Sequence, residues 1–402
     1  KLESAGLLGS IPTSLGTLTS LTNLDLQSNA LNESIPDAIS QMTALTGLHL
    51  SDNQLSGAIP PAIGALTTLQ ELYLAHNMLT GSIPMEVASL VMLKYLSLDD
   101  NKLGGTISEA LSTLTNLTYL SMANNELEGS IPAFLSSFTA LTHLELSNNA
   151  ISGPLPTTLR GLARVEALLV SNNSLSGTIP PSISGLSRLL TLMLDGNEFE
   201  SPVPTSLSKL RALKRMDVSK NKFSENFPTF LTRMTRVEHM KLSHNNFTGS
   251  IPASISSLAS LTYLDLGYTL LSGPIPTAIT KMRRLSRLDL RIPTLSDSIP
   301  ASMGTMLNLQ YLYVNYDATP CGYGEWGCEV QQYLGTAFCR ACFDFCRQCS
   351  EWSNDGIGGY GDYGDYYAPP KCRKKRRPCS FKSCPGRICI PFIRSCKGYK
   401  CL

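Results

Sequence analysis

The sequence predicts an α/β-type solenoid of about thirteen stacked coils, because one pattern returns every 24 residues along most of the chain. An asparagine marks each repeat, and leucines stand at fixed offsets before it in the frame L-x-x-L-x-L-x-x-N-x-L-x-G-x-I-P. An Ile-Pro step keeps the same interval, from Ile11-Pro12 to Ile299-Pro300. The ladder asparagines, as we call them below, are Asn29, Asn53, Asn77, Asn101, Asn125, Asn149, Asn173, Asn197, Asn221 and Asn245.

Each repeat is expected to form one coil around a short strand. Leu24 and Leu26 are two residues apart, so both side chains point to one side of a strand while Asp25 points to the other. The ladder asparagine follows where the chain leaves the strand, and its amide can hydrogen-bond backbone groups that the turn leaves unpaired. A single coil cannot bury its own leucines, so stability must come from stacking on neighbouring coils.

The side chains that alternate with the strand leucines predict a recognition face on the sheet. They form two columns, one beginning at Asn23 and the other at Asp25, with aromatic residues at both ends and basic residues between. Exposed Tyr, Arg and His suit contacts with proteins or sugars. The alternative is that solvent-facing strand positions simply tolerate these residues, since tyrosine favours strands. The predicted binding residues are Tyr73, Tyr95, Tyr119, His143, Arg215, His239, Lys241, Tyr263, Tyr311 and Tyr313.

No enzyme motif accompanies this face. The chain lacks a nucleophile elbow, a phosphate-binding loop and an HExxH sequence. His239 and His244 are five residues apart on a strand and its exit, a poor spacing for a shared metal. The sequence therefore predicts no catalytic residue, no metal and no cofactor. All five histidines fall on the strand or its exit: His49, His76, His143, His239 and His244.

Cysteines and sequons indicate an oxidising compartment. All twelve cysteines lie at or after Cys321, and an even number in so short a region is typical of a disulfide framework. Four Asn-x-Ser/Thr sequons, at Asn32, Asn116, Asn172 and Asn246, are candidate N-glycosylation sites. No apolar run reaches the roughly 18 residues that a membrane span needs. The chain is therefore expected to be extracellular, either secreted or at a cell surface.

The repeated frame resembles the plant-type class of leucine-rich repeats, with its G-x-I-P extension, over roughly residues 5–317. That class includes receptor-kinase ectodomains and polygalacturonase-inhibiting proteins. The resemblance implies a right-handed superhelix with a parallel β-sheet on its concave face, used to bind proteins, peptides or glycans. The chain departs from the class at both ends, where a cysteine-paired amino-terminal cap is missing and a cysteine-rich tail replaces a transmembrane helix and kinase. Within the frame, Thr269, Pro293 and Asp317 stand where the ladder asparagine is expected.

Composition divides the chain into four expected parts. Residues 1–320 are the solenoid, 321–350 a cysteine-rich cap, 351–370 a Gly/Tyr/Asp-rich linker and 371–402 a basic six-cysteine disulfide module. The pairing of the cysteines stays open, and the C-x-x-C pairs of the cap lie closer together than zinc sites usually require. The predicted disulfide residues are Cys321, Cys328, Cys339, Cys342, Cys346, Cys349, Cys372, Cys379, Cys384, Cys389, Cys396 and Cys401.

Charge is distributed unevenly along the chain. Residues 371–402 contain eleven Lys or Arg and no acid, and the whole chain carries +2, so residues 1–370 carry −9. A plain solvated loop is the alternative role for this basic tail, and the disulfide context argues against a nuclear signal. The basic run is Arg373, Lys374, Lys375, Arg376 and Arg377.

Two functions of different kinds follow. The first coil begins midway in the frame without the polar cap that solenoids need, so another surface is expected to cover it. With the charge asymmetry, this favours a self-assembling cell-surface or filament subunit that joins other copies of itself head to tail. Acidic glycans are expected as further partners of the tail, and nucleic acid is not. The alternative is a secreted or cell-surface recognition module that binds a protein, peptide or glycan on the concave face.

Overall fold

The structure, a computed structural model, describes residues 1–295 and 299–314 and confirms the predicted α/β-type solenoid. Thirteen strands pair in chain order in one parallel sheet, which we call the concave sheet. Each residue pairs with the residue one repeat further along the chain, so that Tyr95 pairs with Tyr119 and Tyr119 with His143. We number coils one to thirteen by these strands. They are Asn23–Asp25, Gly47–His49, Glu71–Tyr73, Tyr95–Ser97, Tyr119–Ser121, His143–Glu145, Ala167–Leu169, Thr191–Met193, Arg215–Asp217, His239–Lys241, Tyr263–Asp265, Arg287–Leu290 and Tyr311–Val314.

The outer side of each coil carries a five-residue 3-10 helix, not an α-helix. Most begin directly after the proline of the Ile-Pro step, whose backbone is extended. Because proline has no N–H, this position leaves no backbone donor unpaired. Each helix ends after one turn, as where the Leu90 N–H donates to Val87 O at 3.0 Å. These helices are Thr13–Thr17, Asp37–Gln41, Pro61–Ala65, Met85–Ser89, Glu109–Thr113, Ala133–Ser137, Thr157–Gly161, Pro181–Gly185, Thr205–Lys209, Thr229–Arg233, Ala253–Ser257, Thr277–Lys281 and Ala301–Thr305.

Two further parallel sheets follow the ladder asparagines, and sequence periodicity does not predict them; we call the two together the second sheet. Their segments are short, and six of the nine contain glycine, so they lack the alternation of a long half-buried strand. Six strands form one sheet and three more form another farther along the chain. The six are Leu8–Ser10, Ala30–Glu33, Gln54–Ala58, Met78–Ser82, Lys102–Thr106 and Glu126–Glu128, and the three are Ser152–Gly153, Ser174–Gly177 and Glu198–Phe199.

Two adjacent glycines of this second sheet offer a test of its backbone geometry. Gly105 has a φ of 74°, which a residue with a Cβ adopts only at a cost, whereas Gly104 does not share this conformation. We expect Gly105→Ala to lower the free energy of unfolding by about 1–2 kcal/mol in urea denaturation. Gly104→Ala should have little effect, because a Cβ there would meet only Glu126 O, at 3.7 Å. Equal losses in the two variants would contradict this assignment.

One apolar core runs the length of the described solenoid. Strand leucines, outer-turn aliphatics and residues of the second sheet contribute to it, and most are fully buried. Phe223 and Phe247, from neighbouring coils, stack with ring centroids 5.9 Å apart. Because the core contacts pass from coil to coil, each coil depends on its neighbours for burial, as the repeat predicts.

The ladder asparagines lie inside the solenoid, and their predicted hydrogen bonds are confirmed. The Asn101 Nδ2 group donates to Leu74 O at 3.0 Å, Leu98 O at 3.1 Å and Asp99 O at 3.0 Å. Its Oδ1 accepts from the Leu79 N–H at 3.0 Å. One buried side chain thus satisfies four backbone groups and ties coil four to coil three.

The predicted cap, linker and basic module lie outside the described residues. The same holds for every cysteine, for the basic run at 373–377 and for Asp317. The domain boundaries at 321, 351 and 371 therefore stay predictions. None of the described helices has the length and apolar character that crossing a membrane requires.

Candidate functional site

The concave sheet presents the two predicted columns of side chains, but the columns differ in exposure. The first residue of each strand is exposed or half-buried, as at Tyr95 and Arg215, with Gly47 as the exception. The third residue is buried in six of the thirteen strands. Polar side chains there turn back to the strand exit, as where Asp217 Oδ1 accepts from the Ser219 N–H at 3.0 Å. A partner would therefore meet mainly the first column.

Four of the predicted residues form an aromatic group in coils three to six. The rings of Tyr73 and Tyr95 stack with centroids 6.4 Å apart, and Tyr119 and His143 stack at 4.7 Å with their planes 8° apart. Burial raises the pKa of Tyr119 and lowers the pKa of His143, so both rings are neutral at pH 7. The group therefore offers uncharged ring surface to an apolar, aromatic or sugar group of a partner.

A carboxylate beside the aromatic group belongs to neither of the two columns that the sequence predicts. Asp99 lies two residues beyond the strand of coil four and accepts from Ser97 Oγ at 2.8 Å, from the Ala123 N–H at 2.8 Å and from the Ser121 hydroxyl. The period-two rule could have found it, because the alternation that faces the concave side continues past the strand end. Asp99 adds a negative group between coils four and five.

Apolar side chains occupy the middle of the concave sheet. Leu169 and Met193 pair in register across coils seven and eight, next to Ala167, and all three are half-buried. The sequence places them in the two columns, but their apolar character does not fit the polar and aromatic contacts predicted there. These adjacent apolar side chains make this part of the face a candidate contact surface.

Three carboxylates of the concave side are held where their charge is disfavoured. Burial raises the pKa of Glu145, of Asp195 and of Asp265, and for Asp265 the neighbouring Asp289 adds to the effect. Carboxylates with a perturbed pKa are more frequent at functional sites than elsewhere. The raised pKa also predicts a measurable effect on stability.

Replacing Asp265 by Asn is expected to raise the melting temperature at pH 7. Its folded-state pKa lies above the unfolded value of about 3.9, so its contribution to stability is fully present below that pH and is lost as pH rises through the folded pKa. Asn retains an oxygen that can accept from the Gly267 N–H, now 3.0 Å from Asp265 Oδ1. The gain should shrink towards zero near pH 3. Exposed Asp37→Asn is the control, and a gain independent of pH would contradict the burial effect.

Three of the predicted binding residues, Arg215, His239 and Lys241, meet in coils nine and ten, and of these three Arg215 is the cation without a carboxylate partner in the described residues. The Lys241 Nζ lies 2.9 Å from Asp217 Oδ2. Burial alone would lower the pKa of Lys241, but the hydrogen bond and charge of Asp217 outweigh it and the pKa is raised. Burial, helped by Arg215, lowers the pKa of His239, which is therefore neutral at pH 7. Arg215 is exposed and pairs with no carboxylate in the described part of the chain.

Tyrosines and arginines interleave in coils eleven to thirteen. The Arg287 guanidinium lies 4.9 Å from the ring centroid of Tyr263 and 5.8 Å from that of Tyr311. The expectation that Tyr313 is accessible is wrong, because the residue is only 7% exposed. The guanidinium groups of Arg287 and Arg291 each lie 5.2 Å from its centroid. Tyr313 therefore supports the cluster from within.

The sequence predicts no metal site and four glycosylation sites. Within residues 1–295 and 299–314, no three His, Cys, Asp or Glu side chains are grouped to hold a metal ion. The four sequon residues are exposed, although the Asn172 Nδ2 group also donates to Asn148 Oδ1 at 2.8 Å. Glycosylation at Asn32, Asn116, Asn172 and Asn246 stays a prediction.

Two family models describe the repeats. One leucine-rich repeat model matches residues 92–151, 115–175 and 211–271, and another matches residues 20–42, 44–66 and 68–90. Together they cover slightly more than half of the chain, and no catalytic family matches. A comparison with curated proteins returns no match.

Solved structures extend the likeness to the whole described solenoid. The plant peptide hormone receptor RGFR1, in complex with RGF2, is 31% identical with a TM-score of 0.73, over 77% of this chain and 54% of that one. The leucine-rich repeat ectodomain of the Arabidopsis thaliana membrane receptor kinase GASSHO1/SCHENGEN3, in complex with Casparian strip integrity factor 2, is 32% identical with a TM-score of 0.69, over 78% and 41%. A leucine-rich repeat protein of Leptospira interrogans is 27% identical with a TM-score of 0.61, over 78% and 88%.

The chain spans about half the length of the plant receptor structures it matches. The 24-residue frame, the thirteen-stranded parallel sheet and the family matches agree with one another. On this evidence the chain belongs to the leucine-rich repeat proteins.

Proposed function

We propose that this chain is an extracellular recognition module that binds an extended segment of a peptide or protein across its concave sheet. The observation that carries the proposal is the order of surfaces along one face: uncharged aromatic rings, then an apolar centre, then an unpaired cation. Tyr119 and His143 represent the first, Leu169 and Met193 the second and Arg215 the third. A single elongated ligand can contact all three surfaces, and it can do so without entering an enclosed cavity.

The dimensions of the face suit an extended chain lying across the strands. From Tyr95 in coil four to Tyr263 in coil eleven there are seven strand steps, or about 34 Å at 4.8 Å for each step. An extended polypeptide rises about 3.4 Å per residue, so about ten residues would cover this length.

The chemistry of each surface predicts what the ligand presents. An aliphatic or aromatic side chain would pack on Leu169 and Met193, where both partners lose apolar surface to water. An acidic group would pair with Arg215, whose planar guanidinium matches a carboxylate with two hydrogen bonds. Lys241 is already paired with Asp217, so Arg215 is the cation of these two that an acidic group of the ligand would meet.

The relatives support a binding role. RGFR1 is a plant peptide hormone receptor and its structure contains RGF2, and the GASSHO1/SCHENGEN3 ectodomain was solved with its own partner. They favour recognition over the self-assembling filament expected from charge and from the first coil, which neither the described residues nor the relatives support. The likeness to receptor ectodomains also favours an extracellular location.

Selection from a random peptide library tests the proposal. Phage-displayed peptides of about twelve residues, long enough to span the face, would be panned on the full-length protein. We expect enriched sequences to combine an apolar or aromatic residue with an Asp or Glu, and to be displaced by free copies of the same peptide. Enriched peptides that bind a concave-face variant and the parent protein equally well would reject the concave sheet as the binding surface.

A further inference from the structure

The outer turns of the solenoid divide into an acidic half and a basic half. We define an outer turn as each 3-10 helix with the three residues that follow it, for example 157–164. The outer turns of coils one to six contain no Lys or Arg and three acids, Asp37, Glu86 and Glu109. Those of coils seven to twelve contain ten cations and no acid. This basic outer patch consists of Arg160, Arg164, Arg188, Lys209, Arg211, Arg233, Arg236, Lys281, Arg283 and Arg284.

Every cation of the basic outer patch is exposed. None of the ten forms an ion pair with a carboxylate in the described residues. Lysines elsewhere do find partners, since Lys214 pairs with Glu238 at 3.4 Å and Lys222 with Glu198 at 2.9 Å. The outer patch is therefore a concentrated positive field that the described solenoid does not neutralise, and such a field attracts polyanions.

Stacking of the coils sets these cations in rows. The 3-10 helices contact one another in chain order, so residues 24 apart occupy equivalent places on successive turns. Arg164, Arg188, Arg236 and Arg284 share one such place. Lys209, Arg233 and Lys281 share another, three residues earlier in the repeat. From coil seven to coil twelve the rows extend over at least about 24 Å, given five steps of 4.8 Å.

We propose that the basic outer patch binds a linear anionic polysaccharide that carries sulfate or carboxylate groups. Eight of the ten cations are arginine, which offers two parallel hydrogen bonds to such groups. Exposed hydroxyls such as Ser187 and Thr235 lie among them and can bond sugar hydroxyls. This surface lies on the outer turns, opposite the concave sheet, and does not depend on the peptide-binding role proposed above.

A single-stranded nucleic acid fits the patch less well. Proteins that hold single strands supply aromatic side chains on which bases stack. The outer turns of coils seven to twelve contain one aromatic residue, Phe230, and it is half-buried against the core. A surface with charges and hydroxyls but no exposed aromatic rings for stacking suits a sugar polymer. The binding experiment below distinguishes a polysaccharide from a duplex nucleic acid.

Binding of the full-length protein to immobilised polysaccharides tests the inference. The probes are dextran sulfate, polygalacturonate and neutral dextran, with a short DNA duplex alongside. We expect dissociation constants that rise steeply with sodium chloride for one or both acidic polysaccharides, and no binding to neutral dextran. Changing Arg164, Arg188, Arg236 and Arg284 together to Ser should weaken this binding at least about tenfold.

Two matched variants keep the result specific to the patch. Changing exposed Lys94, Lys102, Lys214 and Lys222 to Ser removes the same charge elsewhere and should change the affinity by less than about twofold. Changing the basic run at 373–377 to Ser should leave the patch-dependent part of the binding in place. Circular dichroism and melting temperature confirm folding, which exposed positions on rigid turns are expected to tolerate.

Several results would overturn the inference. They are the absence of binding to either acidic polysaccharide, equal losses in the patch and matched variants, or complete loss in the 373–377 variant alone. Duplex DNA that binds as tightly as the polysaccharides, with the same sensitivity to the patch, would show a general polyanion surface instead. Patch-dependent self-association in sedimentation, without polysaccharide binding, would assign the patch to contacts between copies of the chain.

Discussion

Replacing the ladder residue Asn101 by Ala is expected to lower the free energy of unfolding by roughly 2–4 kcal/mol, because the buried Leu79 N–H loses its acceptor and three carbonyl groups each lose one of two donors. Those carbonyls keep donors from Asn77, Asn125 and His76, and Asn101 is itself only 8% exposed. Water cannot enter to replace it without opening the contact between coils three and four. An unsatisfied buried polar group costs about 1–3 kcal/mol, and the weakened bonding of the three carbonyl groups adds to the cost at the Leu79 N–H.

Two comparisons make this prediction specific. Asn101→Thr should cost less than the alanine variant, because Thr269 occupies a ladder position naturally and its Oγ1 donates to Leu266 O at 2.9 Å. Asn23→Ala, at an exposed asparagine, should change stability by less than about 0.5 kcal/mol. Urea denaturation followed by circular dichroism measures all three, and hydrogen exchange would locate the loss in coils three and four. An Asn101→Ala cost below that of Asn23→Ala would show that the ladder does not join the coils.

The second large effect is expected from the apolar centre of the concave sheet. Changing Leu169 and Met193 together to Glu should weaken binding of a library-selected peptide at least about 100-fold, or about 2.7 kcal/mol. Two carboxylates would have to lose water beneath the ligand, where the parent protein offers an apolar surface. The parent side chains are half-buried and face outward, so folding should survive the change. Isothermal titration calorimetry measures the affinity, and the melting temperature reports on folding.

The matched control places the same charges on the second sheet. Thr80→Glu with Ser152→Glu alters two exposed positions away from the concave face and should leave the affinity within about twofold. Arg215→Ser should weaken peptides that contain an acid by about tenfold and should also reduce the salt dependence of their binding. If the Leu169 and Met193 variant binds as the parent does, the proposed path of the ligand is wrong.

The repeat made the architecture predictable, since period and hydrogen-bonding needs are local properties. The spacing of Leu24, Leu26 and Asn29 is enough to place a strand, its buried face and a capping amide. The repeat also predicts a parallel sheet, and the structure confirms it with thirteen strands. The second sheet was not predictable in this way, because its strands are short and pass through residues such as Gly105 with a φ of 74°.

The candidate site was predictable in position but less so in accessibility. Column membership follows from alternation, so Tyr95, Tyr119 and Arg215 face the concave side as expected. Burial, however, depends on side chains of neighbouring coils, which alternation does not reveal. Tyr313 is buried because the guanidinium groups of Arg287 and Arg291 lie over its ring. Asp99 lies two residues past the end of its strand, outside the strand positions that define the two columns. The unpaired state of the basic outer patch likewise depends on which carboxylates lie nearby in space.

Site-specific photo-crosslinking tests the central claim, recognition across the concave sheet, most directly. A benzophenone amino acid would replace Met193 at the centre of the face or, in a control protein, Thr80 on the second sheet. We predict that the best-enriched library peptide crosslinks to the protein with the probe at position 193 and that excess unlabelled peptide prevents it. Crosslinking at position 80 but not at position 193 would contradict the account.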